Sequence, residues 1–552
     1  MSGAMTSGRK RIGVIGAGPA GLVAVKELKE TGHEVVAFDA RPTLGGVFAD
    51  AYAGLQLTSS SLITSFGSYI RDRDLDRPVL WQCDEYLQYL REFAERYDLA
   101  PHFHFSTMVK SVRRAPDGGW RMRVAPVGSP EQETEHAFDH VVVATGSNVK
   151  PQFPAWADPA GFDGRIVHSG DVHDESTFAG KRVLVVGMGE SGSDMALMAA
   201  RAGRACAIST RNGPGYIIPR YYRGLPADTD SNRCYHGLPR SVVHKPIVRF
   251  KVKVEDALLP ADADRKVLGK VAEINRARGG TPFTRFGTKS TAFVKAMVYH
   301  GAEWRPGVAE LRRDRVVFAD GTEFECDLIV CCTGFTPQFS FLEEHEPELA
   351  RRACNARSLY RRMMIPELGT SISWIGLVRP GIGGVPACSE MQARYLALLI
   401  SGGKPLPSLD EMHDDIRLHA ELDRRQYGHD AERLPTMADL FRFSESTAHE
   451  IGCRPPLRKL FLRDPRAAFK VAFGPLSAAQ YRLAGPGADP VRARAVLRRL
   501  PTMPWPVLAY EAMLMAGCWA AGLTREPWKK WQRRSPAVRR PAVAKAPRPA
   551  LQ

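Results

Sequence analysis

The sequence predicts an α/β protein made of two Rossmann-like dinucleotide-binding domains, one inserted in the other, followed by a helical C-terminal extension. Three observations carry that prediction: a strand, glycine loop and helix at the N-terminus, a second copy of the pattern from Arg182, and two apolar runs flanking that copy that each end in Thr-Gly. A chain of 552 residues has material for more than one domain. With 44% hydrophobic and 25% charged residues it is globular in composition, neither disordered nor a multi-spanning membrane chain.

Arg11–Ile15 is a short β-branched run ending in Gly16-Ala17-Gly18-Pro19-Ala20-Gly21, and residues 22–30 continue with the apolar spacing of a helix. The glycines let the backbone approach a pyrophosphate, and the helix N-terminus offers it free N–H groups and a partial positive charge. A second apolar run, Glu34–Phe38, ends in Asp39, placed to accept hydrogen bonds from a ribose. A glycine-rich turn alone is weak evidence; strand, helix and terminal acid together specify a nucleotide site.

The pattern returns at Arg182–Val186, followed by Gly187-Met188-Gly189-Glu190-Ser191-Gly192-Ser193 and a helix over residues 194–202. Two copies imply two dinucleotides. The next strand, Ala205–Ser209, is followed by Thr210-Arg211 where the first copy has its acid. An arginine there pairs with a 2′-phosphate that an acid would repel, so the second site is expected to take NADPH rather than NADH. A carboxylate beside a pyrophosphate is unfavourable unless it points away, which makes Glu190 an oddity of this loop.

Residues 141–146 and 328–334 are apolar strands leaving the sheet through Thr145-Gly146 and Thr333-Gly334, small residues that allow a close approach to a cofactor. One precedes and one follows the second glycine loop, so the NADPH domain is expected as an insertion. The expected boundaries are 1–170 and 331–480 for the first dinucleotide domain, 171–330 for the inserted one, and 481–552 for the helical extension with its basic tail. Residues 150–163, rich in Pro and Gly, read as a linker.

The chain carries 76 Lys and Arg against 60 Asp and Glu, a net +16, yet residues 525–552 alone hold nine bases against one acid. Half of the excess therefore sits in a tail, and nucleic-acid binding is not expected of the body. The ten cysteines include no CxxC pair, which fits reduced thiols in a cytoplasmic protein and argues against a disulfide reductase. The first strand begins by Arg11, leaving no room for a signal peptide. His102 and His104 alternate along a strand-like stretch as solvent-facing residues rather than metal ligands.

With these features the chain resembles the flavin-containing monooxygenases, FAD- and NADPH-dependent enzymes of the dimethylaniline N-oxide-forming type. Besides the glycine loops, the carriers are Gly45-Gly46-Val47-Phe48, similar to the family's Gly-Gly-x-Trp loop, and residues 162–168 (Phe-Asp-Gly-Arg-Ile-Val-His), which fit its FxGxxxH fingerprint. Later segments also match: Cys332-Thr333-Gly334-Phe335, Pro386 with Glu390-Met391-Gln392-Ala393-Arg394, and residues 473–475 with 481–487. The resemblance implies cofactor contacts at Gly16, Gly18, Pro19, Ala20, Gly21, Asp39, Arg41, Gly46, Val47, Phe48, Thr145 and Gly146. In the inserted domain and beyond it implies Gly187, Gly189, Glu190, Ser191, Gly192, Ser193, Thr210, Arg211 and Gln392. It also implies the cycle: NADPH reduces FAD, the reduced flavin takes up O2 as a C4a-hydroperoxide, and one oxygen atom passes to an amine nitrogen or sulfur of a small molecule. The protein's part is to exclude water and supply hydrogen bonds.

Two departures bear on chemistry. Many members carry an Asn near the flavin, where this chain has Thr58 and Ser59, hydroxyls unable to reproduce the paired geometry of an amide. These two are the candidate catalytic residues, and their substitution leaves an NADPH oxidase or non-oxygenating flavoprotein as one alternative. The position after the fingerprint that the Baeyer–Villiger branch fills with Trp is Val172, which lowers ketone oxygenation to a second alternative.

Near the C-terminus residues 507–523 form a 17-residue apolar stretch containing Glu511. It is short for a membrane span, which needs about 20 residues, and its acid opposes insertion. A helix packed on the protein is expected, with a monotopic membrane contact through Trp519, Trp528, Trp531 and the basic tail as the alternative.

Overall fold

Two parallel five-stranded sheets organise the computed structural model. The structure describes residues 8–521 except 212, 214, 223, 239–249, 251–252, 255–258, 260 and 279–286. The basic tail with Trp528 and Trp531 lies outside the described residues. In the first sheet the order is Ile372–Trp374, His140–Val143, Arg11–Ile15, Glu34–Phe38 and Phe103–His104. In the second it is Glu303–Arg305, Ala205–Ser209, Arg182–Val186, Leu328–Cys331 and Arg165–His168. Every pairing in both is parallel. Strands so enclosed must be apolar on both faces, and Val183, Leu184, Val185, Ile329 and Val330 are fully buried.

The helices Pro19–Glu30 and Glu190–Ala202 follow the two glycine loops. Val385–Ile400 packs on the first of these and Ala292–His300 on the second. The second sheet includes Arg165–His168, on the N-terminal side of the 170/171 boundary expected from the sequence.

The chain crosses between the sheets twice, side by side. Lys150–Pro151 pairs antiparallel with Phe335–Thr336, so the expected linker begins as one strand of a two-stranded ribbon. His168, the last residue of the fingerprint, closes this junction. Its Nε2 donates to the Gly334 carbonyl at 3.0 Å, its Nδ1 accepts from Gly170 N at 3.2 Å, and its ring meets Phe335 edge-on at 4.5 Å. Burial lowers its pKa, so the ring stays neutral and one tautomer serves both bonds. Val172 is buried in the core of the second sheet with Phe178.

Helices Leu457–Arg463, Pro465–Phe473 and Pro490–Arg499 pack against residues 62–75 of the first unit. Trp505–Ala520 then lies with Val507, Leu508 and Glu511 turned inward, as expected of a helix packed on the protein. Glu511 accepts a hydrogen bond from Asn232 Nδ2 at 2.8 Å. Trp505 and Trp519 on the same helix are 71% and 81% exposed. Among the described residues no helix is long and apolar enough to cross a membrane, and no group of His, Cys, Asp and Glu could hold a metal. All ten cysteines are free.

Candidate functional site: a cavity between two glycine loops

A cavity of about 540 Å³ opens where the first sheet's C-terminal edge faces the second unit. In open parallel sheets this edge is where ligands bind, because loops and helix N-termini converge there. The helix Pro19–Glu30 enters it with Gly18 as N-cap, no side chain capping it, and proline at its first position. Its free N–H groups therefore point at the cavity as an anion site. Gly21 allows this helix to sit so close to the strand, since a Cβ there would lie 1.9 Å from the Gly16 carbonyl oxygen.

Of the expected cofactor contacts, Gly16, Gly18, Pro19, Ala20, Asp39 and Arg41 line the cavity, as do Gly46, Val47, Phe48, Thr145 and Gly146. Asp39 is fixed in place by its neighbours, since its carboxylate accepts from Ala17 N at 2.6 Å and Arg41 N at 2.8 Å. The Thr145 hydroxyl is buried with no hydrogen-bond partner among the described residues. Such an orphaned group at the wall of a cavity fits a bound ligand that would satisfy it.

From the second unit Glu190 and Ser191 reach the wall. Glu190 pairs there with Arg379 at 3.5 Å. Gly187, Gly189, Gly192, Ser193, Thr210 and Arg211 lie off the cavity. Gly192 plays the part of Gly21, since a Cβ added to it would fall 2.2 Å from the Gly187 oxygen. Ser193 is buried and its hydroxyl accepts from Phe293 N at 3.1 Å, pinning two helices together. Thr210 accepts from Trp304 Nε1 at 2.8 Å. Arg211 is exposed at the exit of Ala205–Ser209 and makes no ion pair among the described residues.

Thr58 and Ser59 both line the cavity, but their hydroxyls differ. Ser59 Oγ donates to the Gly383 carbonyl at 3.1 Å, whereas no bond to the protein occupies the Thr58 hydroxyl among the described residues. Gln392 lies off the wall and is fully buried. Its amide accepts from Gly376 N at 3.1 Å and donates to the Arg361 and Arg362 carbonyls at 3.2 Å, so it shapes the cavity through Gly376.

The wall also holds Tyr52, Asp194, Lys289 and Arg379, none of which the sequence singles out by spacing or composition. Tyr52 Oη donates to Asp194 at 2.9 Å, and Arg220 braces the same carboxylate at 2.9 and 3.0 Å, tying the two units. Burial, and then the Asp194 charge, raise the Tyr52 phenol far above its ordinary value, so it remains a donor.

The chain is 34% identical over 523 residues to a 4-hydroxybenzoate brominase (decarboxylating) of Pseudoalteromonas luteoviolacea, covering 92% of this chain and 96% of that one. It is 30% identical over 496 residues to the N-oxide-forming dimethylaniline monooxygenase 2 of Mus musculus, covering 87% and 89%. The fold is shared with the solved S-allyl-L-cysteine S-oxygenase from Allium sativum at a TM-score of 0.59 and 18% identity, over 92% of this chain and 99% of that one. Residues 9–507 match the family described as FMO-like, flavin-binding monooxygenase-like, and the chain belongs to that family.

Proposed function

We propose that the protein is an NADPH-dependent flavin monooxygenase that uses O2 to oxygenate a soft nucleophile, an amine nitrogen or sulfur, of a small molecule. The observation that carries this reading is the cavity itself, walled by the first glycine loop on one side and by Glu190 and Ser191 of the second unit on the other. Its residues fit FAD: an uncapped helix N-terminus for the pyrophosphate, Asp39 for the ribose, the Thr145 hydroxyl for the ring system, and Phe48 as an apolar wall. Held there, FAD would supply the redox chemistry that couples NADPH and O2 to oxygenation of the nucleophile. The chain's own part is to bind, orient and exclude water. Thr58 presents the free hydroxyl at this wall, while Ser59 orders the segment around Gly383. The Tyr52–Asp194–Arg220 brace holds the two halves of the cavity together.

A test follows NADPH oxidation, O2 uptake and peroxide release on the flavin-loaded enzyme with amines, sulfides and ketones. Product formed in step with NADPH is expected for amines or sulfides. Peroxide equal to NADPH consumed with every compound would replace the reading with an oxidase, and turnover of ketones alone with a Baeyer–Villiger enzyme. A second reading, oxygen transfer to bromide with bromination of a phenolic acid, is supported by the brominase relative at 34% identity. Bromide joins amines and sulfides as a soft nucleophile, and a phenol added with it would report bromination.

Arg211→Ala is expected to raise the NADPH KM by about tenfold or more and leave the NADH KM nearly unchanged, since a lost charge-assisted bond to phosphate costs about 1.5–3 kcal/mol. Equal changes for both nucleotides would remove Arg211 from the 2′-phosphate. The exposed Trp505 and Trp519 of the last helix support, in addition, the peripheral membrane contact considered from the sequence.

A further inference from the structure

Lys289 lies between the strand Gly287–Thr288 and the helix Ala292–His300, on a segment pinned from both sides. Thr288 Oγ1 donates to the Met188 carbonyl in the second glycine loop at 2.7 Å, and Ser290 Oγ donates to Asp194 at 3.2 Å. Arg220 Nε donates to the carbonyl of Lys289 itself at 3.3 Å. The side chain is thereby carried into the cavity wall that Thr58 and Ser59 share, where it is only 9% exposed.

An ammonium taken out of water costs several kcal/mol unless a partner offsets it. Among the described residues Lys289 makes neither an ion pair nor a hydrogen bond through its ammonium. Of the nearby carboxylates, Asp194 is engaged with Tyr52 and Arg220 and Glu190 with Arg379, while Asp228 accepts from Ser60 N at 2.7 Å through one oxygen and its other oxygen makes no hydrogen bond among the described residues. Burial lowers the Lys289 pKa, and the charges of Glu190 and Asp228 counter that fall from a distance.

We propose that Lys289 is an anion-binding residue of this cavity, taking a compact monoanion, a halide or a carboxylate, beside Thr58. A singly charged group balances one buried ammonium. A dianion such as the 2′-phosphate of NADPH would meet Glu190 and Asp228 with an excess of negative charge, and the NADPH affinity of the Lys289 variant separates a small anion from the singly charged phosphates of the pyrophosphate. The inference rests on the flavin monooxygenase reading and names the charge of the molecule, or co-substrate, that the site accepts.

The test titrates the oxidised, flavin-loaded enzyme with sodium bromide in one arm and sodium benzoate in the other, at constant ionic strength, following the flavin absorption difference spectrum. Wild type and Lys289→Arg are expected to bind one of the two anions. Lys289→Gln is expected to bind it about tenfold or more weakly, a loss of about 1.4 kcal/mol, with the Kd for NADPH unchanged. Bromide as the responsive anion identifies a halide site, and benzoate a carboxylate site. Equal affinities of wild type and Lys289→Gln for both anions would overturn the proposal, as would a parallel loss of NADPH affinity, which would assign Lys289 to the nucleotide. Failure of the monooxygenase reading shows separately, as a wild-type flavin that NADPH does not reduce even where the anion binds.

Discussion

Gly21→Ala is expected to yield protein without bound flavin, and Gly192→Ala to yield flavin-loaded protein that NADPH reduces at least about 100-fold less efficiently. The cause is the same in both. An added Cβ would stand 1.9 Å from the Gly16 oxygen in the first case and 2.2 Å from the Gly187 oxygen in the second, inside any possible contact. The obstacle is backbone, so the helix must retreat from its strand. Its N–H groups then leave the pyrophosphate, and a displacement near 1 Å is enough to cost about 10²-fold in a site that works by positioning. The flavin-to-protein absorbance ratio reads the first variant, and kcat/KM for NADPH the second. Gly269→Ala on the helix Arg265–Arg278 is the control, since a Cβ there meets nothing within 4 Å and the residue lies off the cavity. Full flavin occupancy in Gly21→Ala would show that the first loop does not hold the cofactor.

Glu390→Ala is expected to destabilise the protein by about 3–5 kcal/mol, the range for removing one partner of a buried ion pair. Glu390 is 1% exposed on the helix Val385–Ile400, accepts from Gly67 N at 2.5 Å and Ser68 N at 3.1 Å, and pairs with Arg482. Arg482 also holds Glu27 of the first glycine-loop helix at 2.5 Å, so the cluster clamps that helix to the C-terminal segment. Burial alone would push the Glu390 carboxyl up, but Arg482 and Arg394 outweigh it and hold the pKa down at about 2, against an ordinary 4.5. A carboxylate depressed in the native state stabilises above its unfolded pKa. That contribution, of order 3 kcal/mol, is therefore complete above pH 4.5 and lost as pH falls toward 2. Urea unfolding between about pH 5 and 2.5 should show the decline in wild type and a flatter profile in Glu390→Gln. Equal slopes would remove Glu390 from the acid response.

The sheet-forming elements were legible because their signals are local. Arg11–Ile15 and Arg182–Val186 are β-branched runs, and each glycine loop lies within six residues that any reader of the chain can inspect together. Asp39 was legible for the same reason, since a strand of known rise delivers its terminal residue to a known edge. The insertion followed from the order of two Thr-Gly exits. Partners distant in sequence were not legible. Ser59 is separated from Thr58 in role by a bond to Gly383, more than three hundred positions away, and Gln392 serves Gly376 and two carbonyls rather than a ligand.

The sequence alone determined the two dinucleotide units, the inserted order and the residues of the loops, because chain-local geometry and glycine sterics dictate them. Only the tertiary structure decided which of those residues face the shared cavity, that Glu190 turns to Arg379, and that Lys289 stands in its wall with no ion pair among the described residues. Charge pairing in a buried space is settled by what packing brings within about 4 Å, and no spacing along the chain encodes which distant carboxylate is already taken.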